Sequence, residues 1–352
     1  MSGNIYHRDP REEQRPTLKE LRMQKHVAIS YAPEPALALE RRMLADAGFE
    51  VIPCGSLATN HGITAAANAE AIMVGADHVD GLVLDQLPRC RIVARVGTGF
   101  DAIDVPAATA RGIWVTNVPD YAVDEVSAHA IALALALTRS IVHHRDLVRS
   151  GQWAYRPLTP IRRLAGQTLG ILGLGRIGSA SAQKGLGLGM KIIACDPYIS
   201  DERFTALGVR RVDFPTLLRE SDILTLHVPL TSETRQIINA SALALMKPTA
   251  YLINTARGAV VDVDALVEAV RSGRLAGAGL DVLPWEPPPP DHPMLHDERI
   301  LVTPHIAWAS EEAAYESRIR ACQDVIRVLR GERPVYALND VEAARHTMEI
   351  AD

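Results

Sequence analysis

The 352-residue chain has little of what marks several large protein classes. It contains only four cysteines, scattered and without a CxxC pair, so a disulfide framework is not expected. No apolar run reaches the roughly 18 residues that a membrane-spanning helix requires. The net charge of -5 provides no basic surface for nucleic acid. We therefore expect no membrane and no direct nucleic-acid partner, and free thiols in a reducing cytoplasm.

The N-terminal 20 residues are polar and lack the apolar core of a signal peptide, which also favours the cytoplasm. We expect this segment to be a mobile arm or one that clasps a partner.

The length of the chain allows two domains of ordinary size. Apolar residues make up 47% and charged residues 22%, as in most globular proteins.

Short apolar segments alternate with helix-compatible ones, which predicts an α/β protein with two doubly wound parallel sheets. In the first third, strands are predicted at 26–30, 50–54, 71–75, 91–96 and 113–117. A second series is predicted at 168–172, 191–195, 209–212, 223–228, 250–256, 276–282 and 300–302. Long helices at about 124–144 and 310–331 bracket this second series. We therefore predict one domain from 1–124 plus 306–352 and an inserted domain at 125–305.

A glycine-rich turn opens the second series. Gly173, Gly175 and Gly178 follow a predicted strand in GxGxxG spacing and lead into a helix. Such glycines allow a tight turn, the approach of backbone amides to a pyrophosphate, and close packing of helix on strand. Arg176 and Ile177 stand at the start of that helix, whose free N–H groups favour phosphate.

Asp196 ends the next predicted strand, where a carboxylate accepts hydrogen bonds from the adenine ribose. It would also repel a 2′-phosphate, and Pro197-Tyr198 supplies no arginine to attract one. We therefore predict NAD(H) rather than NADP(H) as cofactor. The alternative is a strand–helix turn that merely needs glycine, which Asp196 disfavours.

Arg257, Glu286 and His305 each follow a predicted strand of the second series. Because ligands collect at the carboxyl ends of parallel strands, these side chains and the glycine-rich turn are expected at one edge. A guanidinium can bind the carboxylate of a 2-hydroxy acid, and an imidazole can exchange the hydroxyl proton. A carboxylate bonded to the imidazole would favour its protonated form. We predict this set to be catalytic, and no metal site, although His292 and His296 have metal-like spacing.

Taken together, the motifs resemble the D-isomer-specific 2-hydroxyacid dehydrogenase family over roughly residues 29–339. The matching segments are Arg95–Asp101 (RVGTGFD), His227–Leu230 (HVPL), Asn254–Gly258 (NTARG), Leu280–Val282 (LDV) with Glu286-Pro287, and Thr303–His305 (TPH). The resemblance implies a flavodoxin-like substrate domain, an inserted Rossmann NAD-binding domain, and a homodimer joined through the cofactor domains.

The resemblance also assigns residues by position. Arg257, Glu286 and His305 are the matching catalytic residues. The substrate carboxylate is expected on the loop of Gly97, Thr98 and Gly99. Apart from the resemblance, the place of Arg95 near the end of a predicted strand suggests a second anion contact. The remaining matches are expected beside the cofactor: His227, Pro229, Thr255, Ala256 and Asp281. Ala102 stands where the family usually has Asn, so one amide that supports the substrate loop is missing.

Two details resemble the C-terminal binding protein branch of the family: Arg95 itself, and Trp308 with the residues after it. A dinucleotide-sensing scaffold that recruits peptides is therefore the alternative to an enzyme. Formate dehydrogenases are disfavoured because they place glutamine where this chain has Glu286.

Trp308 is predicted to form an apolar wall of the substrate pocket, or else only to pack a helix. The substrate stays open among glyoxylate, hydroxypyruvate, phenylpyruvate and branched or thioether 2-oxoacids.

Overall fold

The computed structural model describes residues 25–341, so the predicted N-terminal arm lies outside the described residues. These residues form two compact units, one of 25–119 with 315–341 and one of 120–314. The units divide at 119/120 and 314/315, whereas the sequence-based prediction placed the divisions at 124/125 and 305/306. Which ligand each unit binds remains a prediction.

The first unit contains one five-stranded parallel sheet in the order β2-β1-β3-β4-β5. This is the flavodoxin-like order, which reverses between β1 and β3. Its strands and helices are β1 (Lys25–Ile29), α1 (Ala38–Asp46), β2 (Phe49–Pro53), α2 (Asn60–Ala66), β3 (Ala71–Val74), α3 (Gly81–Asp85), β4 (Ile92–Arg95), α4 (Val105–Ala110) and β5 (Trp114–Thr116).

The central strands of the first sheet form because short apolar runs are buried on both faces. Ala71–Val74 is buried at all four positions, as expected for a central strand covered by helices. The helices begin at polar caps: Asp80 accepts from the amide of Val83, and Asp104 accepts from the amide of Ala107.

The second unit contains a seven-stranded parallel sheet in the order β12-β11-β10-β9-β6-β7-β8. Counted from its own first strand, this is the Rossmann order 3-2-1-4-5-6 with one strand added. Its elements are α5 (Val123–Thr138), α6 (Ile141–Arg149), β6 (Thr168–Leu172), α7 (Arg176–Gly187), β7 (Lys191–Cys195), α8 (Asp201–Leu207), β8 (Arg210–Arg211), α9 (Phe214–Glu220), β9 (Ile223–Leu226), α10 (Ala240–Leu245), β10 (Tyr251–Asn254), α11 (Val263–Arg271), β11 (Gly277–Leu280) and β12 (Ile300–Val302). The last helix, α12 (Glu311–Leu329), begins here and continues into the first unit. Both sheets confirm the predicted fold class.

Close approach of helices to the second sheet depends on glycine at two positions. A Cβ added at Gly185 would lie 2.6 Å from a methyl carbon of Leu169, so α7 can approach β6 closely only without a side chain there. At Gly279 the Cβ would lie 3.0 Å from that of Leu133 on α5. The helix α5 therefore packs directly over β11 (Gly277–Leu280), the strand that leads to Glu286.

The predicted continuous helix at 124–144 is wrong, because α5 and α6 are separate helices bent by 59°. Ser140 adopts a left-handed conformation with φ 54°, which ends α5 in the manner of a C-terminal cap. The Thr138 hydroxyl bonds back to the carbonyl of Ala134, an interaction that often bends helices. Within 25–341 no single helix has the length and apolarity to cross a membrane, although this bent pair passes by length and composition.

Candidate active site

Three neighbouring strands of the second sheet end level with one another. Asn254 of β10 pairs with Leu280 of β11, which in turn pairs with Val302 of β12. Arg257 follows the first of these strands and His305 the last, so their side chains leave the same carboxyl edge.

His305 and Glu286 form a direct pair at this edge. Nδ1 of His305 lies 2.7 Å from Oε2 of Glu286, and the two side chains are 45% and 40% exposed. The other carboxylate oxygen of Glu286 accepts from the amide of Leu283 at 3.0 Å. Because Glu286 holds Nδ1, Nε2 of the imidazole is the nitrogen left for proton transfer.

The environment of Glu286 favours its ionised form. Partial burial alone would raise the pKa of this carboxyl. The hydrogen bonds from His305 and the Leu283 amide, with the charges of His305 and Arg257, outweigh burial and bring the pKa below its ordinary value. Glu286 is therefore a carboxylate at neutral pH that can stabilise a protonated His305.

Asp281 fixes the loop that carries His305. Its carboxylate is 1% exposed and accepts from the Thr303 hydroxyl at 2.6 Å and from the amides of Ile306 and Ala307 at 3.0 and 2.8 Å. The amide of His305 donates to the Asp281 carbonyl at 2.8 Å, and His305 has a left-handed φ of 54°. Such a conformation persists only when its surroundings impose it. Asp281 therefore supplies much of that support, besides any contact with a cofactor.

His129 on α5 joins this network, which the sequence did not indicate. Its Nε2 lies 3.0 Å from the Thr303 hydroxyl and 3.5 Å from Oδ1 of Asp281. No local signal could have found it, because the contact joins segments more than 150 residues apart.

Arg257 is placed by a tight turn after β10. The side chain of Asn254 accepts from the amide of Ala256 and donates to the Arg257 carbonyl, both within 3.0 Å. A Cβ added at Gly258 would lie 1.9 Å from the carbonyl carbon of Leu283. Glycine at this position therefore lets the Arg257 turn lie against the segment that leads to Glu286.

The glycine-rich turn has the geometry of a phosphate cradle. Gly173 adopts φ +90°, and a Cβ added at Gly178 would lie 2.1 Å from the Gly173 carbonyl oxygen. A Cβ at Gly175 would meet nothing within 4 Å, so the backbone there is open to a ligand. Arg176 and Ile177 are the first two residues of α7, which begins directly after Gly175, and the first amides of a helix have no partner within it.

Asp196 lies at the end of β7, next to the glycine-rich turn. Its Oδ2 accepts from the amide of Leu174 at 2.8 Å and its Oδ1 from the amide of Tyr198 at 2.9 Å. Each oxygen keeps a further lone pair, so the carboxylate can still accept from ribose hydroxyls.

Two buried polar atoms near this edge have no hydrogen-bond partner among the described residues. They are the hydroxyl oxygen of Thr255, directly after β10, and Nδ1 of His227, directly after β9. A buried polar atom without a partner is uncommon, and a bound ligand is one explanation. The Thr255 hydroxyl, the open Gly175 backbone and the Asp196 carboxylate together fit a dinucleotide along this edge.

The ring of His227 is held by two hydroxyl groups, and its Nδ1 is buried. Its Nε2 lies 3.0 Å from the Ser181 hydroxyl and 3.1 Å from that of Thr225, and burial lowers the pKa of His227 to about 3. The imidazole is therefore neutral at working pH. Pro229 and Ala256 lie in the loops after β9 and β10, and their predicted cofactor contacts remain predictions.

In the first unit, the predicted substrate loop follows β4. Gly97 has φ +150°, and the Arg95 guanidinium lies beside it, with Nη1 2.5 Å from the Val96 carbonyl oxygen. The Asn117 side chain donates to the Thr98 carbonyl at 2.6 Å, and the Thr98 hydroxyl donates to Val118. The loop is thus held from β5 although Ala102 supplies no amide, and Gly99 follows in the same turn.

Trp308 lies between the His305 loop and α12, with 38% of its surface exposed. Partial exposure is compatible with a pocket wall and with helix packing, so its role remains a prediction.

Comparisons with known proteins agree with this geometry. Residues 131–307 match the family described as "D-isomer specific 2-hydroxyacid dehydrogenase, NAD binding domain". The chain is 42% identical over 268 residues to a glyoxylate reductase of Thermofilum pendens, covering 75% of this chain and 79% of that protein.

Solved structures are similar over most of the chain. The D-lactate dehydrogenase of Aquifex aeolicus, complexed with NAD and lactic acid, has a TM-score of 0.80 at 31% identity and covers 87% of this chain and 96% of its own. An acyclic imino acid reductase in complex with NADPH and D-Arg has a TM-score of 0.77 at 27% identity, covering 89% and 100%.

Proposed function

Because the chain belongs to the D-isomer specific 2-hydroxyacid dehydrogenase family, we propose that it reduces a short 2-oxoacid to the D-2-hydroxy acid with NADH. It is a nicotinamide-dependent 2-hydroxyacid dehydrogenase, which acts on a 2-oxoacid and its 2-hydroxy acid. The observation that carries the assignment of roles is the 2.7 Å contact between His305 and Glu286 on the edge that Arg257 shares.

Each side chain has one task in this reaction. The Arg257 guanidinium binds the substrate carboxylate and polarises the carbonyl. Protonated His305 donates from Nε2 to the carbonyl oxygen, and Glu286 stabilises the imidazolium before the transfer. The reduced nicotinamide, when bound, supplies the hydride. In the oxidative direction His305 accepts the hydroxyl proton.

Glyoxylate is the first substrate to test, because the relative from Thermofilum pendens is named a glyoxylate reductase. Its small size would not require a pocket wall from Trp308. Larger 2-oxoacids would, so the comparison between small and large substrates tests this residue. Arg95 and the backbone of Gly97, Thr98 and Gly99 remain the proposed contacts of the substrate carboxylate.

NADH is the proposed cofactor because the carboxylate of Asp196 would repel a 2′-phosphate. The related imino acid reductase binds NADPH, so both cofactors occur among similar structures. Equal catalytic efficiency with NADH and NADPH would refute the preference.

The relatives named above are reductases and dehydrogenases, which favours an enzyme over a dinucleotide-sensing scaffold. The same names favour these enzymes over the C-terminal binding protein branch that Arg95 and Trp308 suggested.

We also propose a homodimer, in a reducing compartment such as the cytoplasm. Large apolar side chains are exposed in the segment 141–158 of the second unit, most of all Trp153 at 92% and Tyr155 at 75%. Such exposure is typical of a protein contact surface. The four cysteines are unpaired, which suits a reducing environment. Light scattering coupled to gel filtration tests the dimer.

The test of the proposed function is NADH oxidation with a panel of glyoxylate, hydroxypyruvate, pyruvate and phenylpyruvate. Because glycolate is achiral, the products of pyruvate and hydroxypyruvate are then separated by chiral chromatography. We expect turnover and D products. An L product would contradict the stereochemistry, and no turnover with any member would contradict the reductase assignment.

A further inference from the structure

An arginine that the sequence did not indicate lies beside the proposed ribose site. Arg211 is on β8, the edge strand next to β7, and pairs in register with Ala194. One terminal nitrogen, Nη2, lies 3.3 Å from the backbone oxygen of Asp196. The guanidinium is thus directly next to the residue that we expect to bind the adenine ribose.

The charge of this arginine is engaged by a neighbouring carboxylate. Nη1 of Arg211 lies 2.7 Å from Oδ1 of Asp201, the first residue of α8. Its guanidinium carbon also lies 5.2 Å from the centre of the Phe204 ring, over which the group stacks. These contacts hold the guanidinium flat against α8.

The charges at this strand end influence one another. Burial raises the pKa of the Cys195 thiol, and the carboxylates of Asp196 and Asp213 raise it further, whereas Arg211 opposes them. The field of Arg211 therefore reaches the end of β7, where the sheet edge meets the glycine-rich turn.

In dinucleotide-binding folds that take NADP, an arginine near the adenine ribose accommodates the 2′-phosphate. We propose that Arg211 is a potential 2′-phosphate ligand neutralised by Asp201, and that this ion pair acts with Asp196 to set the preference for NADH over NADPH. The inference rests on the proposed use of NADH. It adds Arg211 and Asp201 as specificity-determining residues to Asp196, the carboxylate that the sequence analysis predicted.

The test measures dissociation constants of NADH and NADPH by fluorescence titration of the full chain without a 2-oxoacid. The variants are Asp201→Asn, Arg211→Gln and the two combined. Asp201 is 79% exposed, so its replacement removes the ion pair with little cost to folding. The matched control is Arg210→Gln, because Arg210 is adjacent on β8 and pairs instead with Glu220.

We expect Asp201→Asn to tighten NADPH binding by about tenfold, as one charge-assisted hydrogen bond would, with NADH binding little changed. Adding Arg211→Gln to Asp201→Asn should abolish the gain in NADPH affinity. Adding the control substitution Arg210→Gln to Asp201→Asn should leave that gain in place. An Asp201→Asn protein with unchanged NADPH affinity, or a gain that survives loss of Arg211, would overturn the inference.

Failure of this inference is distinguishable from failure of the proposed function. If the unmodified protein binds NADH and reduces a 2-oxoacid while Asp201→Asn leaves NADPH binding unchanged, only the role of Arg211 and Asp201 is wrong. If the unmodified protein binds neither cofactor, the proposed function and this inference are both wrong.

Discussion

Replacing Asp281 with Asn should impair proton transfer without touching the proton-transfer residue itself. The buried carboxylate accepts from the Thr303 hydroxyl and from the amides of Ile306 and Ala307, all at 3.0 Å or less. An Asn side chain has one acceptor oxygen and directs N–H groups at the remaining donors. Loss of even one bond to a charged acceptor costs about 1.5–3 kcal/mol. If the His305 loop bears that cost, kcat should fall by about 10- to 100-fold.

The assay is steady-state NADH oxidation with a saturating 2-oxoacid, in both the unmodified and the His305→Ala backgrounds. Because Asp281 acts through His305 in this account, Asp281→Asn should cost little more once His305 is absent. The matched control is Asp222→Asn, which weakens the bonds of this carboxylate to the Thr168 amide and to Lys247 at the opposite edge of the same sheet. That variant should lower the melting temperature and keep kcat. An Asp281→Asn enzyme with normal kcat but a raised KM for NADH would refute the positioning role and favour a direct cofactor contact.

Three further predictions concern other residues. The pKa of Glu286 lies below its ordinary value, so the Glu286 carboxylate should support His305 until the pH falls through that lowered value. The reduction rate should then fall at low pH. Glu286→Gln should remove this low-pH fall from the pH–rate profile. Burial lowers the pKa of His227 to about 3, whereas a histidine in the unfolded chain has a pKa near 6.5, so the free energy of unfolding should fall as pH drops below about 6.5. His227→Gln should make the melting temperature less dependent on pH between roughly pH 4 and 6.5. An unchanged slope of melting temperature against pH would contradict the burial argument. Trp308→Ala should weaken phenylpyruvate by roughly 1–3 kcal/mol in kcat/KM while sparing glyoxylate, whereas equal losses would identify Trp308 as a packing residue.

Most strands were predictable because they are short apolar runs between polar turns, the exception being β8, which consists of the exposed Arg210 and Arg211. Central parallel strands are buried on both faces, so this composition is imposed by the fold. Arg257, Glu286 and His305 could be assigned to one edge for the same reason, since each follows such a run. The structure adds the 2.7 Å contact that joins two of them.

The remaining features depend on contacts that no local pattern encodes. The break between α5 and α6 occurs at Ser140, without the glycine or proline that usually marks a helix end. The contact of His129 with Thr303 and the ion pair of Arg211 with Asp201 form only when separate segments fold together. Asp281 was predicted beside the cofactor, but its carboxylate also holds the His305 loop, which residue type alone does not indicate.

The most direct test of the central claim is the rate of NADH-dependent reduction of glyoxylate by His305→Ala against the unmodified enzyme. We predict a loss of about 10²- to 10⁴-fold in kcat, the range expected when a general acid is removed. His26→Ala is the control, because His26 also pairs with a glutamate, Glu50 at 3.4 Å, but lies at the amino end of β1 in the first sheet. Full activity in His305→Ala, or an equal loss in His26→Ala, would contradict the account.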